Sequence, residues 1–136
     1  MPLHNQILVN GYSTNPIVKD EGFIHKWMID LVSDIGMKII QGPYVSYVKK
    51  EGNRGLTCVV MIETSHIALH IWDEPDPAQI QFDLYTCSTL PVGKVLKNLE
   101  EKLGLEKYNY LVLERSKGFE IVKNSRGGFP VDNQYK

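Results

Sequence analysis

Met61-Ile-Glu-Thr-Ser-His-Ile-Ala-Leu-His-Ile-Trp-Asp-Glu74 decides how this chain folds. Residues 56–62 form a run rich in β-branched side chains, suited to a buried strand, and residues 67–72 form another. Glu63-Thr-Ser65 separates them. Beyond them, Asp73-Glu-Pro-Asp-Pro77 must be a loop, because two prolines remove donors and block a helix. Residues 80–86 alternate apolar and polar side chains, as a half-buried strand does. On the other side, Lys49-Lys-Glu-Gly-Asn-Arg54 reads as an exposed charged hairpin tip. Residues 37–40 and 44–49 read as strand segments broken at Gly42-Pro43.

Two amphipathic helices flank this strand-rich centre. Over residues 20–36, Phe23, Ile24, Trp27, Met28, Leu31, Val32 and Ile35 fall on one face, with Asp20 to cap the helix and Gly36 to end it. Over residues 90–103, Val92, Val95, Leu96, Leu99 and Leu103 do the same, and Gly104 follows. Strands at residues 6–12 and 108–113 complete the order β-α-β-β-β-β-α-β. Two helices with one apolar face each need one sheet surface, so the expected fold is α/β (α+β): a two-layer sandwich with an antiparallel sheet and both helices on one face. The second sheet face also needs cover, and homodimerisation through the sheet faces is the expected solution. From residue 124 onward there is too little apolar periodicity to require order.

The whole chain of 136 residues is expected to be one domain. Hydrophobic residues make up 43% and charged ones 23%, a globular balance. No apolar run reaches membrane-spanning length and no signal-peptide pattern opens the chain, so no membrane association is expected. Formal net charge is −1 with scattered Lys and Arg, which argues against nucleic acid as a partner. Two cysteines, Cys58 and Cys87, are too few for a disulfide scaffold and suit a reducing, cytoplasmic setting.

Ser65 stands where one strand run ends and the next begins. A serine hydroxyl beside a strained peptide can attack the preceding carbonyl, turning amide into ester. Elimination then leaves dehydroalanine, which hydrolyses to a pyruvoyl group and breaks the chain. That chemistry needs a polariser for the carbonyl and a base near the serine Cα hydrogen, and His70 and Thr57 are candidates for these roles. Read alone, Thr-Ser-His is an ordinary turn. His66 and His70, four apart on a strand, would lie roughly 13 Å from each other, too far to share one metal ion. A thiol at a strand end, Cys87, can donate a proton to a carbanion, although a buried cysteine more often packs as a small apolar group. Trp72 and Glu74 offer an aromatic wall and a hydroxyl-binding carboxylate. Ser65 and His70 are five apart, so they face opposite sides of an unbroken strand, and a kink or bulge near Ser65 is expected if both serve one site.

Together, Glu63-Thr-Ser-His-Ile-Ala-Leu-His-Ile-Trp-Asp-Glu74 and Asp83-Leu-Tyr-Thr-Cys87 resemble the small prokaryotic-type S-adenosylmethionine decarboxylases, pyruvoyl enzymes of polyamine (spermidine) synthesis. The resemblance runs from the first strand to Glu114-Arg115. It implies cleavage between Thr64 and Ser65, giving chains 1–64 and 65–136, with Ser65 becoming a covalent pyruvoyl cofactor that forms a Schiff base with the substrate; no metal is implied. It further implies a processing role for His70 and, less directly, Thr57, and a proton-donating role for Cys87. Glu74, Trp72, Tyr47 and His66 become the substrate-binding candidates. The small-molecule substrate implied is S-adenosylmethionine, with arginine or ornithine as the alternative for the same chemistry. The segment departs from the family pattern at Thr64, where Glu is usual, at Ile71 for Thr, at Asp73 for Pro, and by about two extra residues before Cys87. Thr64 favours a further alternative, an unprocessed homologue that binds a ligand or partner subunit without catalysis.

Overall fold

A computed structural model describes residues 3–125. Seven strands and two helices follow one another along the chain: β1 (Asn5–Ser13), a single 3-10 turn (Pro16–Lys19), α1 (Glu21–Asp34), β2 (Ile39–Val48), β3 (Gly55–Ile62), β4 (Ser65–Trp72), β5 (Ala78–Thr86), α2 (Val92–Leu103), β6 (Glu106–Glu114) and β7 (Glu120–Asn124). All seven strands join one sheet in the order β2-β3-β4-β5-β1-β6-β7, and every neighbouring pair is antiparallel. The expected α+β sandwich is therefore the observed one.

Local chemistry accounts for the elements. Asp20 caps α1, its Oδ1 accepting the Phe23 N–H at 2.9 Å. The buried residues of α1 are Ile24, Trp27, Met28, Leu31 and Val32, a single stripe. Helix α2 buries Val95, Leu96, Leu99 and Leu103 and ends on Gly104 in the left-handed conformation at φ 67°. Trp27 joins the two helices by donating its indole N–H to Asn98 Oδ1 at 2.7 Å. Its ring edge also meets Phe82 of β5, which seats the helical layer on the sheet.

Alternation sorts each strand's side chains between the two faces. Towards the helices point Ile7 and Val9 of β1, Cys58 and Val60 of β3, Ile67, Leu69 and Ile71 of β4, and Ile80, Phe82 and Leu84 of β5, all in one core. Complete burial of each large aliphatic contributes about 1.5–3 kcal/mol. The opposite face carries Thr57, Val59, Met61, His66, His70, Trp72, Gln79, Gln81, Asp83 and Tyr85, and no helix among the described residues covers it. Tyr44 and Met61 remain 57% and 50% exposed there.

Three boundaries differ from the sequence reading. Residues 39–48 form one continuous strand without the break expected at Gly42-Pro43, because shifts of register between Ile39 and Gln41 and between Gln41 and Tyr44 absorb the interruption. A 3-10 turn precedes α1, started by Asn15 and Pro16. Strand β7 (Glu120–Asn124) was absent from the sequence reading, and Ser125 after it exchanges two hydrogen bonds with Tyr110. The remainder of the stretch expected to need no order, 126–136, lies outside the described residues.

Candidate active site

Ser65 opens β4, across a two-residue turn (Glu63-Thr64) from Ile62. Its φ is +144°, a conformation side chains other than glycine avoid, and holding it costs about 1–3 kcal/mol. On its other side Ser65 pairs with Thr86 of β5, so Cys87 lies one residue beyond. The Cys87 backbone N–H donates to the Thr64 carbonyl oxygen at 2.9 Å. That carbonyl is the one a Ser65 hydroxyl would attack. A strained serine, a polarised carbonyl and a half-buried thiol-bearing residue thus meet at one hairpin end. Thr64 Oγ1 is buried there without a hydrogen-bond partner in the described structure.

A second group lies on the helix-free face. Thr57 of β3 and His70 of β4 are cross-strand partners, with Thr57 Oγ1 and His70 Nδ1 at 3.2 Å. His70 stacks against Trp72, centroids 5.8 Å apart. Beside them a cavity of about 400 Å³ is lined by Gly52, Trp72, Glu74, Pro75, Gln79 and Gln81. The Trp72 indole donates to Asn53 Oδ1 at 3.0 Å, and Glu74 Oε1 accepts the Arg54 backbone N–H at 2.9 Å.

These two groups do not meet within one chain. From Ser65 to Trp72 the ladder is unbroken against both neighbours, so the kink sought in the strand is absent and only the φ of Ser65 is irregular. Five extended residues separate the Ser65 and His70 Cα atoms by roughly 16 Å.

The remaining candidates fall elsewhere. His66 sits near the hairpin end on the helix-free face, its Nε2 at 3.8 Å from Asp83 Oδ2 and its ring tilted against Tyr85. Tyr47 pairs with Leu56 and packs towards the helical layer, on the other side of the sheet from His70. Its hydroxyl donates to Asp73 Oδ2 at 2.6 Å, which raises the phenol's pKa. Burial pushes the Cys58 thiol up to about 12, so it stays protonated. Among the described residues no group of three or more His, Cys, Asp or Glu is placed to hold a metal ion, and no helix is long and apolar enough to cross a membrane.

Gln79 and Gln81 were not singled out by the sequence reading. The alternation of residues 80–86 was the available signal, since it sends Gln81 to the face of His70. Asp73 was noticed only as a departure from the family pattern. Its carboxylate accepts from Arg54 Nε at 2.8 Å as well as from Tyr47. Burial pushes this carboxyl up, but the Tyr47 hydroxyl and the Arg54 guanidinium outweigh it and hold it below the ordinary carboxylate value.

A family model and the curated relatives agree on one family. The model of the S-adenosylmethionine decarboxylase family matches residues 5–116, and the chain belongs to that family. A protein of Archaeoglobus fulgidus named S-adenosylmethionine decarboxylase proenzyme is 35% identical over 71 residues, covering 52% of this chain and 62% of the relative. One of the same name from Pseudomonas paraeruginosa is 30% identical over 83 residues, covering 57% and 51%. The chain spans less than two thirds of the length of these curated relatives. A crystal structure of the toxic C-terminal tip of CdiA from Pseudomonas aeruginosa in complex with immune protein aligns over 94% of this chain, at 12% identity and a TM-score of 0.35, too distant to carry an argument.

Proposed function

We propose that this chain is the precursor of a self-processing, pyruvoyl-dependent decarboxylase that acts on S-adenosylmethionine, as part of polyamine (spermidine) synthesis. The observation that carries the reading is the Thr64 carbonyl, fixed by the Cys87 N–H beside a serine of positive φ. Ser65 Oγ attacks the Thr64 carbonyl carbon and gives up its proton to a base. The Cys87 N–H stabilises the oxyanion as it forms, in the manner of a preorganised donor. Collapse breaks the Thr64–Ser65 amide, leaving an ester and a free amine. Removal of the Ser65 Cα proton expels the Thr64 carboxylate and leaves dehydroalanine, and water then replaces the nitrogen, which departs as ammonia. Relief of the backbone strain at residue 65 favours the cut.

The pyruvoyl group so made supplies an electron sink for loss of carbon dioxide from an α-amino acid. Around it, Cys87 is the proton source for the substrate carbon. Trp72 and Glu74 bind at the cavity: the indole face attracts a sulfonium cation, worth about 0.5–2 kcal/mol, and the carboxylate accepts hydroxyl hydrogens. Because His70 and Thr57 stand roughly 16 Å along the strand from Ser65, a single copy lacks a complete site. A second copy whose His70-bearing face packs against the hairpin end around Ser65 supplies the missing half, so each site takes Ser65 and Cys87 from one subunit and His70, Thr57, Trp72 and Glu74 from the other. The exposed Tyr44, Val59 and Met61 on that face support such packing.

Denaturing mass spectrometry tests the first step. Fragments 1–64 and 65–136 are expected, and Ser65→Ala should yield only the intact chain. An intact parent chain after prolonged incubation would leave a ligand-binding homologue as the reading. Release of labelled carbon dioxide from S-adenosylmethionine, but not from arginine or ornithine, tests the second.

A further inference from the structure

The loop after β4 is fastened to the turn before β3 by a set of contacts that the proposed chemistry does not use. Asp73 is buried, at 6% exposure. Its carboxylate takes Tyr47 Oη at 2.6 Å and Arg54 Nε at 2.8 Å. Arg54 Nη2 also donates to the Asp73 carbonyl at 3.0 Å, and the Asp73 N–H donates to the Arg54 carbonyl at 3.1 Å. A planar guanidinium spanning side chain and backbone of one residue fixes orientation as well as distance. The two residues preceding and following Asp73 are Trp72 and Glu74, both walls of the cavity, and both are themselves tied to the same turn, through Asn53 and the Arg54 N–H.

We propose that Asp73, gripped by Arg54 and Tyr47 from the helix side of the sheet, is the positioning residue that holds the Trp72–Glu74 wall of the cavity in its binding geometry. Asp73 touches no ligand in this arrangement. It acts through its neighbours, because alternation sends its carboxylate to the helical layer while Trp72 faces the cavity. Without it, the 49–54 turn and the 73–77 loop lose their shared anchor and the cavity loses its fixed width. The Arg54 N–H also occupies one oxygen of Glu74, leaving Oε2 to accept a ligand hydroxyl in a set direction. Preorganised walls of this kind raise affinity by removing ordering cost at binding.

The inference rests on the decarboxylase reading only for the identity of the ligand, and its test separates the two. In a Trp27→Phe background, Trp72 is the sole tryptophan, and its emission reports the wall with no ligand present. Asp73→Asn should shift that emission to the red and speed amide exchange in residues 50–55 and 72–77. With Ser65→Ala to block processing, titration calorimetry with S-adenosylmethionine should show Kd weakened about tenfold by Asp73→Asn. In the processed enzyme KM should rise by a similar factor while kcat stays within about twofold, the signature of lost ground-state positioning. If Asp73→Asn fails to fold, Tyr47→Phe keeps the ring, removes one donor and should give about a threefold loss. Unshifted Trp72 emission with unchanged exchange would overturn the proposal. So would an equal fall in kcat with KM untouched. If the parent itself binds no S-adenosylmethionine, the decarboxylase reading falls, and the emission and exchange results still decide the role of Asp73.

Discussion

Separate inactivation of the two halves of the site should be repaired by mixing. Ser65 and His70 lie on one unbroken strand, roughly 16 Å apart at Cα, whereas proton transfer needs heavy atoms within about 2.6–3.2 Å. No side-chain rotation closes that gap inside one chain. Ser65→Ala and His70→Ala homodimers should therefore both remain uncut. In a dimer of one Ser65→Ala and one His70→Ala chain, the intact Ser65 faces the intact His70, so one of the two sites is complete. Random pairing at equal amounts puts about half of the His70→Ala chains in such mixed dimers. About half of those chains should be cleaved, and none of the Ser65→Ala chains. Co-expression with distinguishable tags, followed by denaturing mass spectrometry, reads both fractions directly. Full cleavage of His70→Ala alone, or no cleavage in the mixture despite verified mixed dimers, would refute the shared-site geometry.

Backbone and charge supply further tests. At Ser65, Gly accepts a φ of +144° that Ala resists, so uncut Ser65→Gly should be about 1–3 kcal/mol more stable than Ser65→Ala in urea. Gly55→Ala should unfold the hairpin end or the whole sheet, because a Cβ there would run into the Ile71 carbonyl oxygen; a normal melting temperature would contradict this. The Ser116 hydroxyl and the His4 and Ser116 backbone N–H groups lower Glu114 from 4.5 to about 2. A depressed carboxyl stabilises the fold above its unfolded value and loses that contribution as pH falls through the folded one. Thermal stability should accordingly decline between about pH 4.5 and pH 2, and Glu114→Gln should flatten part of that slope.

The helices and the central strands were legible because each depends on a local repeat. Ile24, Trp27, Met28, Leu31 and Val32 make one stripe whatever lies opposite, and Asp20 caps its own helix. Residues 80–86 show their two faces by simple alternation. Strand β7 carried no such pattern: Glu120, Ile121, Val122 and Lys123 are all exposed, so no buried face was there to imprint one. Site residues were legible as chemical types along a motif, but their placement depends on register. The five-residue step from Ser65 to His70 could be noticed in the sequence, while the continuity of the ladder between them could not. Contacts between distant segments were hidden altogether. Nothing near Asp73 in the sequence points to Tyr47, whose hydroxyl finds it from 26 positions away.

The interleaved strand order has a consequence for any molecule severed between Thr64 and Ser65. The first piece would own β1, β2 and β3, and the second β4 to β7, yet β1 is threaded between β5 and β6. Three seams (β3 with β4, β5 with β1, β1 with β6) would then stitch the two pieces into one sheet without a covalent link. Such a product stays whole while folded but must find its other piece again after melting. Refolding would become a second-order event, slower on dilution, whereas the unsevered precursor refolds at a rate that dilution leaves alone.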